Sequence, residues 1–311
     1  MKDSIVISAT CADAASPDSL PSDGQKADAA FGSFLVHYLD HADFEAHSVT
    51  ERGRHTRISH RLSRLVPRLL AQSGLSAEDI AGTRTGLVSG SSYGCAQVFE
   101  MHQRLRRHGP RGVDAVRFAQ ATHNYPVSAC AIEFGLQGPC LSVVSTETAG
   151  LDALQCAFDW LRDDRCDRVL VVAYEDMAPP IADHLVTRAM ATPGKAYGEA
   201  MVLILLERDS IAAARGHVGR PVLASVVNTP RPEFILPPAD VTTRCATATA
   251  AAPSSRTLDY LGAGGLLAIH DLLNSPDAGQ QGDATWQIDA TATAGCGVAV
   301  GIRVSKMEPA L

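Results

Sequence analysis

Two uninterrupted apolar runs constrain the fold of this chain more than any other feature. They span Arg168–Tyr174 and Ala200–Glu207, and neither alternates polar with apolar residues as a strand with one wet face does. Continuous runs of this kind are typical of strands in a sheet that is covered on both sides. The chain is therefore predicted to be an α/β protein with helices packed outside a mixed sheet.

The segments around these runs alternate helical and extended patterns. Residues 54–74 and 148–161 each place apolar side chains at helical spacing, and the arginines of the first segment are interpreted as its solvated surface. Further strands are predicted from Ile5 and at 85–89, 140–144 and 222–228, followed by a helix at 264–273 and a strand pair within 285–304. Residues 230–253 show little periodicity. We expect a full α/β half at 1–215 and a shortened one at 216–311, forming one compact unit.

Charge and composition exclude several classes of protein. The 311 residues carry 27 Lys and Arg against 34 Asp and Glu, a net charge of −7, which argues against a nucleic-acid binder. No window approaches the ~18 apolar residues that span a bilayer, so a cytoplasmic protein is expected. The eight cysteines are scattered without a C-x-x-C pair. They are expected to be reduced and mostly buried, and neither a metal nor a cofactor is predicted.

One segment resembles a known family. Residues 138–150 read Gly-Pro-Cys-Leu-Ser-Val-Val-Ser-Thr-Glu-Thr-Ala-Gly, an apolar strand that leads through small residues into a helix. This segment is similar to the nucleophile segment of the β-ketoacyl synthases, condensing enzymes of the thiolase fold. Asn124–Gly138, Tyr197–Glu207 and Leu258–Gly265 resemble further motifs of that family, in the same order. The resemblance covers most of residues 80–304 and implies a layered αβαβα fold from two related halves.

The residues that condensation needs are replaced. The family uses a Cys thiolate at a helix N-terminus, with His side chains and backbone amides that polarise the thioester carbonyls. Here the nucleophile position carries Glu147, the second-half His position carries Asp259, and the nearby Lys position carries Ser254. Cys140 and Cys296 lie nearby and are most simply buried small residues. The resemblance therefore implies no intrinsic condensation activity and no catalytic residue.

The family acts as dimers in which the partner completes each acyl tunnel. The resemblance thus implies a chain-length factor, a non-catalytic subunit that pairs with a Cys-bearing ketosynthase in type II polyketide, aryl polyene or fatty-acid-like biosynthesis. Glu147 departs from the Gln that these subunits often carry. The expected pairing surface is a helix over Phe118–Phe134 with the strand Cys140–Val144. The candidate interface or tunnel residues are Asn124, Tyr125, Val127, Phe134, Leu141 and Val143.

An acidic partner and two other functions stay open. A basic cluster around Gly109 contains Arg104, Arg106, Arg107 and Arg111. One interpretation is that it steers an acidic acyl carrier protein towards this subunit or its partner. The other is that it is a solvated helix end. One alternative is a malonyl-carrier-protein decarboxylase, for which His123 and His184 are the remaining carbonyl-binding candidates. Another is acid–base chemistry by a carboxylate pair of Glu147 and Asp259.

Overall fold

The computed structural model describes residues 3–16, 36–46, 55–113, 115–189, 196–230, 240–245, 258–275, 284–291 and 296–304. Its strands are β1 Ile5–Ala14, β2 Val36–His37, β3 Thr85–Ser91, β4 Cys140–Val144, β5 Arg168–Glu175, β6 Tyr197–Gly198, β7 Ala200–Arg208, β8 Val222–Pro230, β9 Asp240–Cys245, β10 Ala284–Thr291 and β11 Cys296–Val304. Its α-helices are α1 Ala42–Glu45, α2 Arg57–Ser73, α3 Ala77–Ile80, α4 Gln97–His108, α5 Ala115–Gln120, α6 Tyr125–Glu133, α7 Ala149–Arg162, α8 Pro179–Ala189, α9 Asp209–Ala214 and α10 Gly264–Asn274.

Most of the described strands form one mixed sheet in two blocks. The first block has the order β4-β3-β5-β7-β1, with β4, β3 and β5 parallel and β7 antiparallel to both β5 and β1. The second block, β8-β11-β10-β9, is wholly antiparallel. The two blocks meet where Val6 of β1 pairs with Val222 of β8 and the Ile7 amide donates to the carbonyl of Pro221 (2.8 Å). The predicted mixed sheet is confirmed.

The first block is covered by helices on both faces. Alternate residues of β5 explain how: Leu170, Val172 and Tyr174 pack on one side, against α2 and α6. The neighbouring Val169, Val171 and Ala173 pack on the other side, against α7 and α10. Both sets are buried, because the strand has no face that meets water. The continuous apolar runs of the sequence therefore correspond to strands in the middle of a layered core.

Helices α7 and α10 form the layer between the two strand blocks. Leu151, Leu154 and Leu266 on these helices share one apolar cluster with the first block and with Trp286, Val300 and other residues of the second. The described residues thus build four layers in the order helix, sheet, helix, sheet. This confirms the layered thiolase-like α/β class, while the boundary at residue 215 stays a prediction.

The outer face of the second block carries mostly polar side chains along two of its strands, β10 and β11. Along β10, Trp286 and Ile288 are buried, whereas Thr285, Gln287 and Asp289 on the opposite face are half-buried polar residues. The register places Thr285 beside Arg303 and Asp289 beside Ala299, so the same face of β11 carries an exposed arginine and a small residue. This alternation suits a sheet with one face in water. The face is not wholly polar, because Val227 of β8, which pairs with Ala299, is 51% exposed.

Several local predictions need correction. The helix predicted over Phe118–Phe134 is two helices, α5 and α6, since Pro126 sits in the first turn of α6 and suits a helix start rather than a helix interior. Cys140 is exposed, because β4 lies at the sheet edge. Strand β9 falls in the segment without periodicity. Ser254 lies outside the described residues, and within those residues no helix is both long and apolar enough to cross a bilayer.

Candidate functional site

Glu147 lies at the turn between β4 and α7. It immediately precedes the N-cap residue Thr148 and is 9% exposed, and α7 then runs for 14 residues. The Thr148 carbonyl accepts hydrogen bonds from the amides of Leu151 (2.8 Å) and Asp152 (3.0 Å). The Asp152 carboxylate in turn accepts from the hydroxyls of Ser145 (2.7 Å) and Thr148 (3.2 Å). The turn is thus fixed at a helix N-terminus, where the aligned backbone dipoles favour negative charge.

Two glycines allow other backbone segments to approach this turn closely. A Cβ on Gly90, at the end of β3, would lie 2.0 Å from the Ala149 carbonyl oxygen. A Cβ on Gly150 would lie 2.5 Å from the carbonyl oxygen of Gly262, in the turn that precedes α10. Since real Cβ atoms do not approach backbone this closely, only glycine fits at these positions. The first and second halves of the chain therefore meet directly at the start of α7.

The fully buried carboxyl of Glu175 joins these segments. It accepts hydrogen bonds from the Ser92 amide (2.6 Å), the Gly262 amide (3.0 Å) and the Ser91 hydroxyl (3.2 Å). The Ser92 hydroxyl also donates to the carbonyl of Thr146 (3.0 Å), next to Glu147. Burial raises the pKa of Glu175 to about 8, although the hydrogen bonds from Ser92, Ser91 and Gly262 act in the opposite direction. The sequence interpretation missed this residue, whose signal is a carboxylate at the end of an apolar strand.

Asp259, at the predicted His position, stabilises a turn. Its Oδ1 accepts from the Leu261 amide (2.8 Å), and its backbone pairs with Ala196 (2.9 Å) and Gly198 (3.0 Å). Leu261 adopts a φ of 47°, a left-handed conformation that is rare for a bulky residue. The hydrogen bond from Asp259 helps to hold that conformation immediately before Gly262. Whether Asp259 and Glu147 act as a carboxylate pair stays a prediction.

His123 and His184 flank the loop that follows β3. The His123 ring lies against Gly94, where an added Cβ would be 2.1 Å from its Nδ1. His184 packs edge-on against Tyr93, with ring centroids 5.5 Å apart. Burial lowers the pKa of His123, which favours the neutral imidazole. The structure thus brings the two histidines that were candidates for binding a thioester carbonyl to the same loop.

The predicted interface residues fall into two groups. Asn124 and Leu141 are exposed, with Leu141 at 42%, whereas Tyr125, Phe134 and Val143 are half-buried. Val127 is 0% exposed and packs in the cluster between α2, α6 and the sheet of its own chain. The prediction that Val127 faces a partner is therefore wrong, because this residue is buried in the core of its own chain, while a place beside a tunnel stays a prediction.

The described cysteines lack the properties of a nucleophile. Burial raises the pKa of Cys95 to about 12, and burial also raises the pKa of Cys130. Cys140 is exposed on β4, yet desolvation raises its pKa as well. A reactive cysteine needs a lowered pKa. The side chain of Cys296 lies outside the described part of the chain, and within that part no group of three or more His, Cys, Asp or Glu side chains is placed to hold a metal ion.

A second buried network was also missed from the sequence. Glu199 accepts from the His41 ring and the Leu39 amide, both at 2.8 Å, and lies 3.8 Å from the Arg57 guanidinium. Arg57 also pairs with Asp176. Burial raises the pKa of Glu199, but the bonds to His41 and the charge of Arg57 outweigh it and hold that pKa below its usual range. The network fixes residues 36–46 against α2 and β7.

Comparisons with known proteins agree with this geometry. A sequence model described as "Beta-ketoacyl synthase, N-terminal domain" matches residues 11–212. The chain is 31% identical over 168 residues to the spectinabilin polyketide synthase system protein NorC of Streptomyces orinoci, and 27% identical over 168 residues to polyketide synthase GfsB of Streptomyces halstedii. Each match covers 50% of this chain but only 7% and 3% of those relatives, so the chain spans a small part of their length.

Solved structures show the same fold over nearly the whole chain. A type II polyketide synthase acyl carrier protein in complex with its ketosynthase, AntDE:AntF, gives a TM-score of 0.73 at 13% identity, covering 99% of this chain and 100% of that one. A β-ketoacyl synthase from Burkholderia phymatum gives 0.72 at 14%, covering 97% and 99%. The ishigamide ketosynthase/chain length factor gives 0.63 at 18%, covering 97% and 99%.

Proposed function

Since the chain belongs to the β-ketoacyl synthase family, we propose that it is a non-catalytic, chain-length-factor-type subunit that pairs with a Cys-bearing ketosynthase and shapes the acyl tunnel. The observation that carries the proposal is the position of Glu147. The turn, the helix and the close glycine contacts of a nucleophile site are present around it, but the side chain is a carboxylate. The proposed setting is a type II polyketide, aryl polyene or fatty-acid-like pathway.

The chemistry of the residues present supports the loss of condensation. Condensation begins when a thiolate attacks an acyl thioester, and a carboxylate is a poor substitute. A pKa of about 12 for Cys95 leaves about one thiol in 100,000 ionised at pH 7, because each pKa unit changes the ratio tenfold. At the His position, one oxygen of Asp259 is held by the Leu261 amide. No described group therefore replaces both the sulfur and the imidazole.

The edge of the sheet at β4 supports the pairing. An edge strand presents unpaired backbone groups that another strand can bond. Leu141 and Val144 on β4 are 42% and 41% exposed, and Ile132 on the adjacent α6 is 83% exposed. On α5, Phe118 is 64% exposed. We assign this apolar edge, composed of β4 with the exposed faces of α5 and α6, to the ketosynthase partner.

A basic surface next to that edge supports docking of an acyl carrier protein. Helix α4, the turn after it and α5 carry exposed arginines, namely Arg104, Arg106 and Arg107 on α4, Arg111 in the turn and Arg117 on α5. Acyl carrier proteins are acidic, and a positive surface raises the encounter rate with an acidic partner. The cluster is therefore proposed to steer the carrier protein towards the paired subunits.

The test is co-purification with a Cys-bearing ketosynthase encoded beside this chain. Co-elution is expected at micromolar concentration, together with products whose length changes when this subunit is varied. The double variant Ile132→Asp, Leu141→Asp should abolish co-elution, while Val218→Asp, a 69% exposed position elsewhere, should leave it intact. The proposal would be contradicted if the wild-type chain did not co-elute with the ketosynthase. It would also be contradicted if this chain alone elongated an acyl group with malonyl units. Release of carbon dioxide from malonyl carrier protein by this chain alone would favour the decarboxylase instead.

A further inference from the structure

The turn Asp259–Ala263, which lies against the start of α7, contains one strained residue. Leu261 adopts a φ of 47°, in the left-handed region that a bulky side chain rarely occupies. Its side chain is nonetheless 2% exposed and packs in a cluster with Met177, Ile181 and Leu185. Backbone strain persists only where surrounding contacts hold it, and it is common in segments that change conformation. We call these five residues the Asp259 turn.

Two side-chain carboxyls hold the Asp259 turn in its strained conformation. The Oδ1 atom of Asp259 accepts from the Leu261 amide at 2.8 Å, and Glu175 accepts from the Gly262 amide at 3.0 Å. The Ser92 hydroxyl accepts from the same Gly262 amide at 2.8 Å. Each bond is made to a backbone amide of the turn, so the loss of any one weakens its hold on the strained backbone.

The residues after Leu261 provide a hinge. Residues 262–265 read Gly-Ala-Gly-Gly, and α10 begins at Gly264. Glycine restricts φ and ψ least, so a change of backbone direction is most favourable in such a segment. The other end of the turn is anchored, because the backbone of Asp259 bonds to Ala196 (2.9 Å) and Gly198 (3.0 Å). The turn can therefore rotate while both of its ends stay attached.

The Asp259 turn also closes one side of a buried carboxyl. Glu175 is 0% exposed, and a Cβ on Gly262 would lie only 2.8 Å from its Oε1 atom. The loop that closes the other side is held further by a bond of 2.8 Å from the Gly94 amide to the Ser91 hydroxyl. Because the strain lies in the turn, water reaches the carboxyl most readily from that side.

Ionisation of Glu175 favours the movement that hydrates it. A charged carboxylate is far more favourable in water than in a dry interior, and burial raises the pKa of Glu175 from an ordinary 4.5 to about 8. We propose that the Asp259 turn is a pH-sensitive gate, which swings away from the start of α7 and hydrates the Glu175 side chain as that side chain loses its proton. The open form is a minor state of the folded chain. This inference does not depend on the proposed pairing with a ketosynthase.

The closest titratable neighbours of this carboxyl do not give the same response. Burial raises the pKa of Cys95 to about 12 and raises that of Tyr174 as well, so both stay neutral near pH 7. Asp176, the next residue on β5, is ion-paired with Arg57. Burial lowers the pKa of His123, which favours its neutral form.

Three other titratable groups lie on the segments around the gate. Asp259 belongs to the turn, Glu147 precedes α7, and His184 packs against Tyr93 of the loop after β3. The variant Glu175→Gln leaves all three in place. Any pH dependence that they cause would therefore persist in that variant, which separates their effect from that of Glu175.

The test is hydrogen exchange of the full chain between pH 6 and 8, measured by mass spectrometry and corrected for the intrinsic rate at each pH. Amides of residues 259–265 should exchange faster than those of β7, a core strand that opens only on global unfolding. Their corrected rate should rise by up to about 100-fold over these two pH units, since each unit below the raised pKa changes the opening equilibrium tenfold. Glu175→Gln should abolish the rise, because Gln still accepts from the Gly262 amide but has no proton to lose.

A second variant tests the hold on Leu261. Asp259→Ala removes the acceptor of the Leu261 amide and should raise exchange of the turn by about tenfold at every pH, with the pH dependence unchanged. Asp164→Ala is the matched control, since Asp164 is 67% exposed, and it should leave the turn at the wild-type rate. The proposal is overturned if the turn exchanges no faster than β7, or if the rise with pH persists in Glu175→Gln.

Discussion

The amide of Gly262 donates a hydrogen bond of 3.0 Å to the carboxyl of Glu175, and so links the turn before α10 to the end of β5. The two residues are 87 positions apart in the chain and belong to its two predicted halves. Because the Ser92 amide bonds the same oxygen at 2.6 Å, three segments converge on one buried acid.

This acid should make stability depend on pH. The pKa of Glu175 is raised by burial to about 8 from an ordinary 4.5, so between these values the folded chain keeps a proton that the unfolded chain has lost. Its contribution is fully present below about pH 4.5 and is lost as pH rises through 8. Glu175→Gln mimics the protonated acid and should remove this part of the decline, a difference of about 2–4 kcal/mol between pH 5 and 9.

Urea unfolding of both proteins across that pH range measures the difference. Parallel pH profiles for the wild type and the variant would contradict the raised pKa. Because Gln retains an acceptor for the Gly262 and Ser92 amides, the variant should keep the wild-type fold at pH 5.

A second buried carboxylate should be needed for stability itself. Glu207 is 0% exposed and pairs with Arg168 (2.7 Å) and with Arg215, and it accepts from the Ser8 hydroxyl. Glu207→Gln would leave two guanidiniums without their counter-charge, so we expect a loss of about 3 kcal/mol in the free energy of unfolding. Asp164→Asn is the matched control, since Asp164 is 67% exposed and its pairs with Arg84 and Arg208 lie at the surface. Chemical denaturation measures the free energy of unfolding of both variants. Equal losses would contradict the inference that the buried carboxylate stabilises the fold more than the exposed one.

The contact between the two halves at α7 should tolerate no side chain. In Gly150→Ala the new Cβ would lie 2.5 Å from the Gly262 carbonyl oxygen and 2.8 Å from the Cβ of Ala173. Neither neighbour is the end of a flexible side chain, so backbone must move, and we expect a destabilisation of about 3 kcal/mol. Thermal unfolding of the purified variant measures it. An unchanged melting temperature would show that the halves do not meet as described.

Restoring a thiol at the turn should restore acyl loading without elongation. In Glu147→Cys the thiol would sit at the start of α7, where the helix dipole favours the thiolate. The thiolate would attack an acyl thioester and release the carrier thiol, giving a mass increase of one acyl group on the intact protein. Glu147→Ala is the control and should gain no mass. Elongated products from Glu147→Cys alone would contradict the inference that Asp259 cannot replace the missing imidazole.

The apolar runs predicted a sheet covered on both sides because burial on both faces leaves a direct mark on composition, whereas the layered fold of two halves came from the family resemblance. Val169–Tyr174 is apolar throughout since both its faces are packed, and Gly138–Gly150 preserves a turn that few other residues fit. Contacts between distant residues leave no such mark. Glu175, Glu199 and Arg61 are ordinary polar residues in the sequence, and only the fold brings each to its partners.

The same reasoning explains the error at Val127 and the contacts of two α2 arginines, Arg61 and Arg68, that the sequence did not predict. A helix with two packed sides gives no sequence signal that separates a core valine from an interface valine. Arginines at helical spacing are compatible with bulk water or with a cavity, and the choice depends on Asp13, 44 positions before the nearest of them. Local patterns predict helices and strands, whereas the contacts of Arg61 and Arg68 with Asp13 depend on tertiary geometry.

The alternation along β10 and β11 has a consequence for how this architecture changes. Because the outward side of these two strands is largely polar, the loss of a covering layer over them would expose little apolar surface and carry little risk of aggregation. The opposite edge of the sheet has no such freedom, because β4 is apolar there and pairs on one side only, with β3, among the described strands. Substitutions and deletions should therefore be tolerated on the outward face of β10 and β11 and be disfavoured at the β4 edge.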